Sequence, residues 1–237
     1  MKQIQKIGQL ILFVLILLGV NSCDKNDNIA AFEVFGDVMI IKRMDGEQSK
    51  FARSYFAYGN YPMSSASVSL PEDGTITLTS PDETLRTYVK QPSLADFGNE
   101  PPITGTFNFT VVNEGIEHTV SDELTFNNLP YANITRAEYS DGVIMVGWEP
   151  VEGADNYLVR LVNDNYETVF TGYLVNASVT VYQIAATNGV MELTPENGVT
   201  YTVEVNTFDY EEGATSKNSD YNVNEISVAT TNVVWGE

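Results

Sequence analysis

The chain has 237 residues, 43% of them hydrophobic, with 32 acidic against 12 basic side chains and a formal net charge of −20. That hydrophobic share supports a packed core and excludes wholesale disorder. The acid excess argues against a nucleic-acid partner, which needs clustered Lys and Arg to neutralise phosphate, and against docking on an anionic membrane through a basic patch.

Residues 1–22 differ in composition from the rest. Lys2 and Lys6 give a basic start, the run 7–20 is apolar apart from Gln9, and Asn21-Ser22-Cys23 follows. A basic region, a short apolar region and a small residue before the cut describe a secretory signal peptide. The apolar run is shorter than the ~20 residues that a membrane-spanning helix needs. Cys23 is the one cysteine, so no intramolecular disulfide can form.

The segment Val20-Asn21-Ser22-Cys23 resembles the lipobox of bacterial lipoproteins, and the polar, acidic Asp24-Lys25-Asn26-Asp27-Asn28 resembles the tethers of Bacteroidetes surface lipoproteins. The resemblance implies that 1–22 is removed and that Cys23 carries the lipid. It further implies a tether over 23–30 and a location at the outer membrane facing the exterior. Removal of 1–22 takes away two lysines and no acid, which leaves the remainder more acidic still.

Beyond residue 28 the hydrophobic pattern alternates, as in half-buried strands. Strands are predicted over 32–43, 50–58, 67–70, 75–79, 84–90, 105–113 and 118–126. Asp45-Gly46, Pro71-Glu72-Asp73-Gly74, Pro81-Asp82, Pro101-Pro102 and Asn113-Glu114-Gly115 supply turns between them. Seven short strands in this span fit an immunoglobulin-like β-sandwich over 31–128. Asn127-Asn128-Leu129-Pro130 reads as a linker, short enough to restrict the orientation of two domains.

A second set of strands is predicted over 134–139, 143–149, 156–163, 167–173, 178–182, 200–208 and 225–230, with 164–192 long and irregular. Trp148 in VIMVGWEPVEGADNYLVRL, Tyr157 opening Tyr157-Leu158-Val159, and the run from Leu193 to Val205 with Tyr201 within it resemble the fibronectin type III pattern. The resemblance implies a second sandwich over 131–237. It places Trp148 and Tyr157 in the core and makes a tyrosine corner of Leu193 and Tyr201. The expected fold class is all-β, two tandem immunoglobulin-like sandwiches, the second fibronectin type III-like.

Catalytic signals are thin. His118 is the one histidine, no Gly-x-Ser-x-Gly elbow accompanies it, and it cannot supply the several ligands of a zinc site. No catalytic residue and no cofactor are assigned. A hydrolase with paired carboxylates is the enzymatic alternative, since acids are plentiful but nothing singles out a pair. Asp164, Glu167 and Asp209 are weak calcium candidates, as oxygen donors in expected loops, although Asp and Asn are also the ordinary turn residues.

The aromatic run from Phe51 to Tyr61 is the most suggestive surface candidate. Tyr55 and Tyr61 share one strand parity, Phe56 and Tyr58 the other. One parity can therefore enter the core while the other points away, and outward rings suit a sugar or a partner protein. The expected function is a non-enzymatic surface lipoprotein that binds glycan or an envelope protein. Its contact with the membrane is the N-terminal lipid. The alternative is a purely structural spacer.

Overall fold

In the computed structural model, residues 31–214 and 222–236 are described, so the signal peptide expected over 1–22, Cys23 and the tether expected over 23–30 lie outside them. The first half contains β1 (Val34–Asp45), β2 (Gln48–Gly59), β3 (Ser65–Ser69), β4 (Thr75–Thr77), β5 (Thr87–Lys90), β6 (Gly105–Asn113) and β7 (Ile116–Leu124). A 3-10 turn at Leu94–Asp96 precedes β6. Alternation decides which side chains are buried. In β6, Phe107, Phe109 and Val111 are fully buried, while Thr106 and Asn108, which flank Phe107, are exposed. Glu114 and Gly115 both take positive φ, the geometry that matches a two-residue hairpin to strand twist. The turn is thereby held in register, with Asn113 opposite Ile116.

The second half contains β8 (Ile134–Ser140), β9 (Val143–Trp148), β10 (Asn156–Val162), β11 (Thr168–Gly172), β12 (Val175–Asn176), β13 (Val181–Ile184), β14 (Gly189–Met191), β15 (Thr200–Tyr210) and β16 (Val223–Val234). Within the first half, β1-β2-β5 forms one layer and β4-β3-β6-β7 the other. Within the second, β13-β9-β8 faces β11-β10-β15-β16. Matched strand for strand, the two halves share one order. Both are sandwiches of the fibronectin type III arrangement, and the fold is all-β. Each has its own core: Val38, Ile40, Phe107 and Phe109 in the first, and Trp148, Tyr157, Phe170 and Val203 in the second.

Two predicted strands begin later than expected, and one region expected to be irregular contains strands. The strand expected over 84–90 begins only at Thr87, because Leu85 has φ 55° and breaks the extended chain. The strand expected over 178–182 starts at Val181, since Asn176 Oδ1 captures the Ser178 amide at 3.0 Å and turns the backbone. The irregular 164–192 region resolves into the short strands β11 to β14.

The largest departure concerns the junction of the two sandwiches. Rather than two bodies joined only by a linker, they share one nine-stranded sheet, because β16 pairs in parallel with β1. The ladder runs from Ile40 opposite Glu225 to Arg43 opposite Val228. A third apolar cluster straddles this seam, with Met39 from β1 against Val223, Ile226 and Val228 from β16. Burial of several such side chains contributes on the order of 1.5–3 kcal/mol each. The two sandwiches are therefore held by both a ladder and a core.

Candidate functional site

The seam also buries charge. Lys42 and Glu225 are 3% and 0% exposed, and Lys42 Nζ lies 3.6 Å from Glu225 Oε1. Lys42 donates to the Leu129 carbonyl and to Asn128 Oδ1, and sits 4.8 Å from the centre of the Tyr131 ring. It thus ties the first sandwich, the linker and the second sandwich at one point. Burial pulls Lys42 down from the ordinary lysine range against the pull of Glu225. Burial likewise pushes Glu225 up. Ser227 Oγ donates to the Pro130 carbonyl at 2.7 Å, which fixes the linker onto β16. Arg43 lies over two rings, Phe97 of the first sandwich and Tyr166 of the second.

Where the parallel ladder stops, side-chain carboxylates take over the edge of β1. The Val38 amide donates to Asp122 Oδ2 at 2.7 Å, and the Val223 amide reaches Asp37 Oδ2 at 3.4 Å. Asp37 on β1, Asp122 on β7 and Glu211 just beyond β15 each bring one carboxylate oxygen within 4.8 Å of the others. Asp37 and Asp122 are buried and Glu211 is half-buried. Burial, then repulsion by Asp122 and Glu211, holds the Asp37 carboxyl well above the usual carboxylate range. Asp122 is pushed up to about 7, mainly by burial and further by Glu211. Among the described residues, no lysine or arginine forms an ion pair with any of the three. An all-oxygen group of this kind suits a hard cation and offers nothing to zinc or copper, which favour nitrogen and sulfur.

The residues predicted from sequence fall elsewhere. Tyr55 is in the first core at 3% exposure, and burial pushes its phenol up to about 12. Phe56, on the opposite face of β2, is equally buried and packs with Val89 and the half-buried Tyr58. Tyr61 is also half-buried. The four rings therefore form no common open platform, because both faces of β2 are covered. Asp164 and Glu167 lie in the β10–β11 turn, where Asn163 Oδ1 accepts from the amides of Asn165 and Glu167. Asp209 Oδ2 is engaged by Asn127 and Asn224. These three acids do not converge, and the calcium candidates are placed as turn and seam residues. His118 packs on Phe32 with ring centroids 4.5 Å apart.

In the second sandwich Trp148, Tyr157 and Tyr201 lie in the buried core and Leu193 does not. Trp148 meets Tyr157 edge-on at 5.2 Å, and Tyr157 Oη accepts from the Val151 amide at 2.9 Å. Tyr201 Oη accepts from the Glu196 amide at 2.9 Å, which pins the crossover between β14 and β15. The Leu193 side chain is 37% exposed, because the stretch between it and Tyr201 bulges through a turn at Glu196–Val199.

The sequence does carry a signal for the missed acids. Asp37 stands in the apolar strand Val34–Asp45, and Glu225 in the apolar strand Val223–Val234. Charge inside such runs marks a paired or ligating group more often than a solvated one.

No protein-family model matches the chain, and no curated protein matches it. Among solved structures, a two-domain fibronectin type III segment of chicken tenascin is 12% identical and covers 85% of this chain and 99% of its own, with a TM-score of 0.30. A DUF3823 family protein from Bacteroides uniformis is also 12% identical, covering 84% of this chain and 99% of its own, with a TM-score of 0.31. At such scores the likeness adds nothing to what the strand order already shows.

Proposed function

We propose that this chain is a non-enzymatic, lipid-anchored surface protein that works as one rigid two-sandwich unit, holding a binding face for a glycan or an envelope protein at a fixed distance from the membrane. The observation that carries the reading is the continuous sheet. A parallel ladder, an apolar cluster and a buried ion pair lock the sandwiches together at the β1–β16 seam. A freely jointed pair would need none of these. The signal-like segment 1–22 and Cys23 supply the proposed anchor, and two or more acyl chains hold a protein stably on a bilayer.

Three measurements test this. Radiolabelled palmitate is expected in the wild-type protein and absent from Cys23→Ala. External protease is expected to reach the protein on intact cells. A glycan array and a pull-down from the native envelope are expected to return a ligand. If both return nothing, binding is overturned and the spacer reading, which the same rigid seam favours, replaces it. Palmitate labelling that survives Cys23→Ala overturns the anchor.

A further inference from the structure

We propose that Asp37, Asp122 and Glu211 bind a calcium ion that clamps the two sandwiches together beside the end of the β1–β16 ladder. Two of the ligands come from the first sandwich and one from the second, so the ion bridges them.

The group is arranged as a binding site rather than as an acidic patch. Each carboxylate has one oxygen within reach of an N–H donor: Asp37 Oδ2 from the Val223 amide, Asp122 Oδ2 from the Val38 amide, and Glu211 Oε2 from Asn222 Nδ2. The other oxygens of Asp37 and Glu211, Oδ1 and Oε1, are buried with no hydrogen-bond partner among the described residues. Asp37 is only 1% exposed, so water does not satisfy that oxygen from bulk solvent. A buried polar atom without a partner is costly, and a buried carboxylate beside two more is costlier still. A divalent cation between them removes both penalties at once.

The span accommodates calcium. The donor oxygens lie within 4.8 Å of one another, a span that a central ion with metal–oxygen bonds of about 2.3–2.6 Å covers, and these are calcium distances. Magnesium takes bonds of about 2.0–2.1 Å in strict octahedral geometry and sheds its water reluctantly. The clamp works whatever the protein binds at the surface, and its failure leaves the proposed anchoring and binding roles untouched.

The test uses the full-length protein in detergent, stripped with EDTA and titrated with CaCl2 or MgCl2 by calorimetry, with thermal unfolding in parallel. One calcium per chain is expected, with Tm rising as free calcium rises and a weaker response to magnesium. Asp37→Asn and Asp122→Asn keep side-chain shape and are expected to weaken calcium binding roughly tenfold or more, since affinity follows ligand charge. Glu211→Gln, in the half-buried position, serves if either buried variant fails to fold. Asp164→Asn with Glu167→Gln, in the β10–β11 turn, is expected to leave affinity unchanged. No calcium binding, binding that the three variants leave intact, or equal affinity for magnesium overturns the proposal. Binding lost instead in the turn variant places the ion there and overturns it as well.

Discussion

Replacing Lys42 with Met removes the cation that faces Glu225 and leaves a fully buried carboxylate without its counter-charge. The same change deletes the donors to Asn128 and to the Leu129 carbonyl. Breaking a buried pair from one side costs about 3–5 kcal/mol, a large share of the ~5–15 kcal/mol by which domains are ordinarily stable. Glu225→Leu alone is expected to cost a similar amount, because Lys42 is then buried without a counter-charge. The double variant, Lys42→Met with Glu225→Leu, is the informative one. Apolar replacement of a whole buried pair is often neutral or stabilising, so it is expected within about 1–2 kcal/mol of wild type, far better than the sum of the singles.

Urea unfolding followed by far-UV circular dichroism and tryptophan fluorescence measures all four proteins. Wild type is expected to unfold in one transition by both probes. The single variants are expected to separate the two sandwiches into two transitions, because the pair sits on the seam. A Lys42→Met midpoint that matches wild type, or a double variant that loses as much as the two singles added, refutes the reasoning.

Other changes probe the rest of the fold. A Cβ at Gly36 would lie 2.4 Å from Cδ2 of the fully buried Phe109, so Gly36→Ala is expected to cost about 1–3 kcal/mol by overpacking, read from the urea midpoint. Tyr201→Phe removes the acceptor for the Glu196 amide and is expected to cost about 1 kcal/mol without altering far-UV dichroism. Because the folded Asp122 carboxyl titrates near 7 rather than its ordinary 3.8, the native state holds more protons than the unfolded one across that interval. Stability of the EDTA-treated protein is therefore expected to fall as pH rises from about 4 to about 7. Asp122→Asn is expected to flatten that slope, which urea midpoints across pH will show.

Much of the fold was legible because strand alternation is local. The buried face of β6 and the start of β9 follow directly from every second residue, and the Trp148, Tyr157 and Tyr201 positions carried the second sandwich. What escaped is nonlocal. The partnership of β1 with β16 joins residues far apart in the chain, and neither strand's sequence names its neighbour. The β2 aromatics misled for the same reason. Alternation says that Phe56 faces away from Tyr55, but not that Val89 of β5 covers it. Charge inside an apolar strand marks Asp37 and Glu225 as unusual, but neither strand's sequence says which group each of them meets across the seam.

The ladder between β1 and β16 also settles how the large sheet ends. Each of these strands is 12 residues long and, with the sandwiches apart, each would be a sheet border open to pairing with another molecule. Set against each other, they move to the interior, and the borders pass to β14 and β5, three and four residues long. Short borders make poor templates for strand addition. Copies crowded together therefore have little of this sheet to add to, and the joint that stiffens the molecule also hides the two longest strand edges of that sheet.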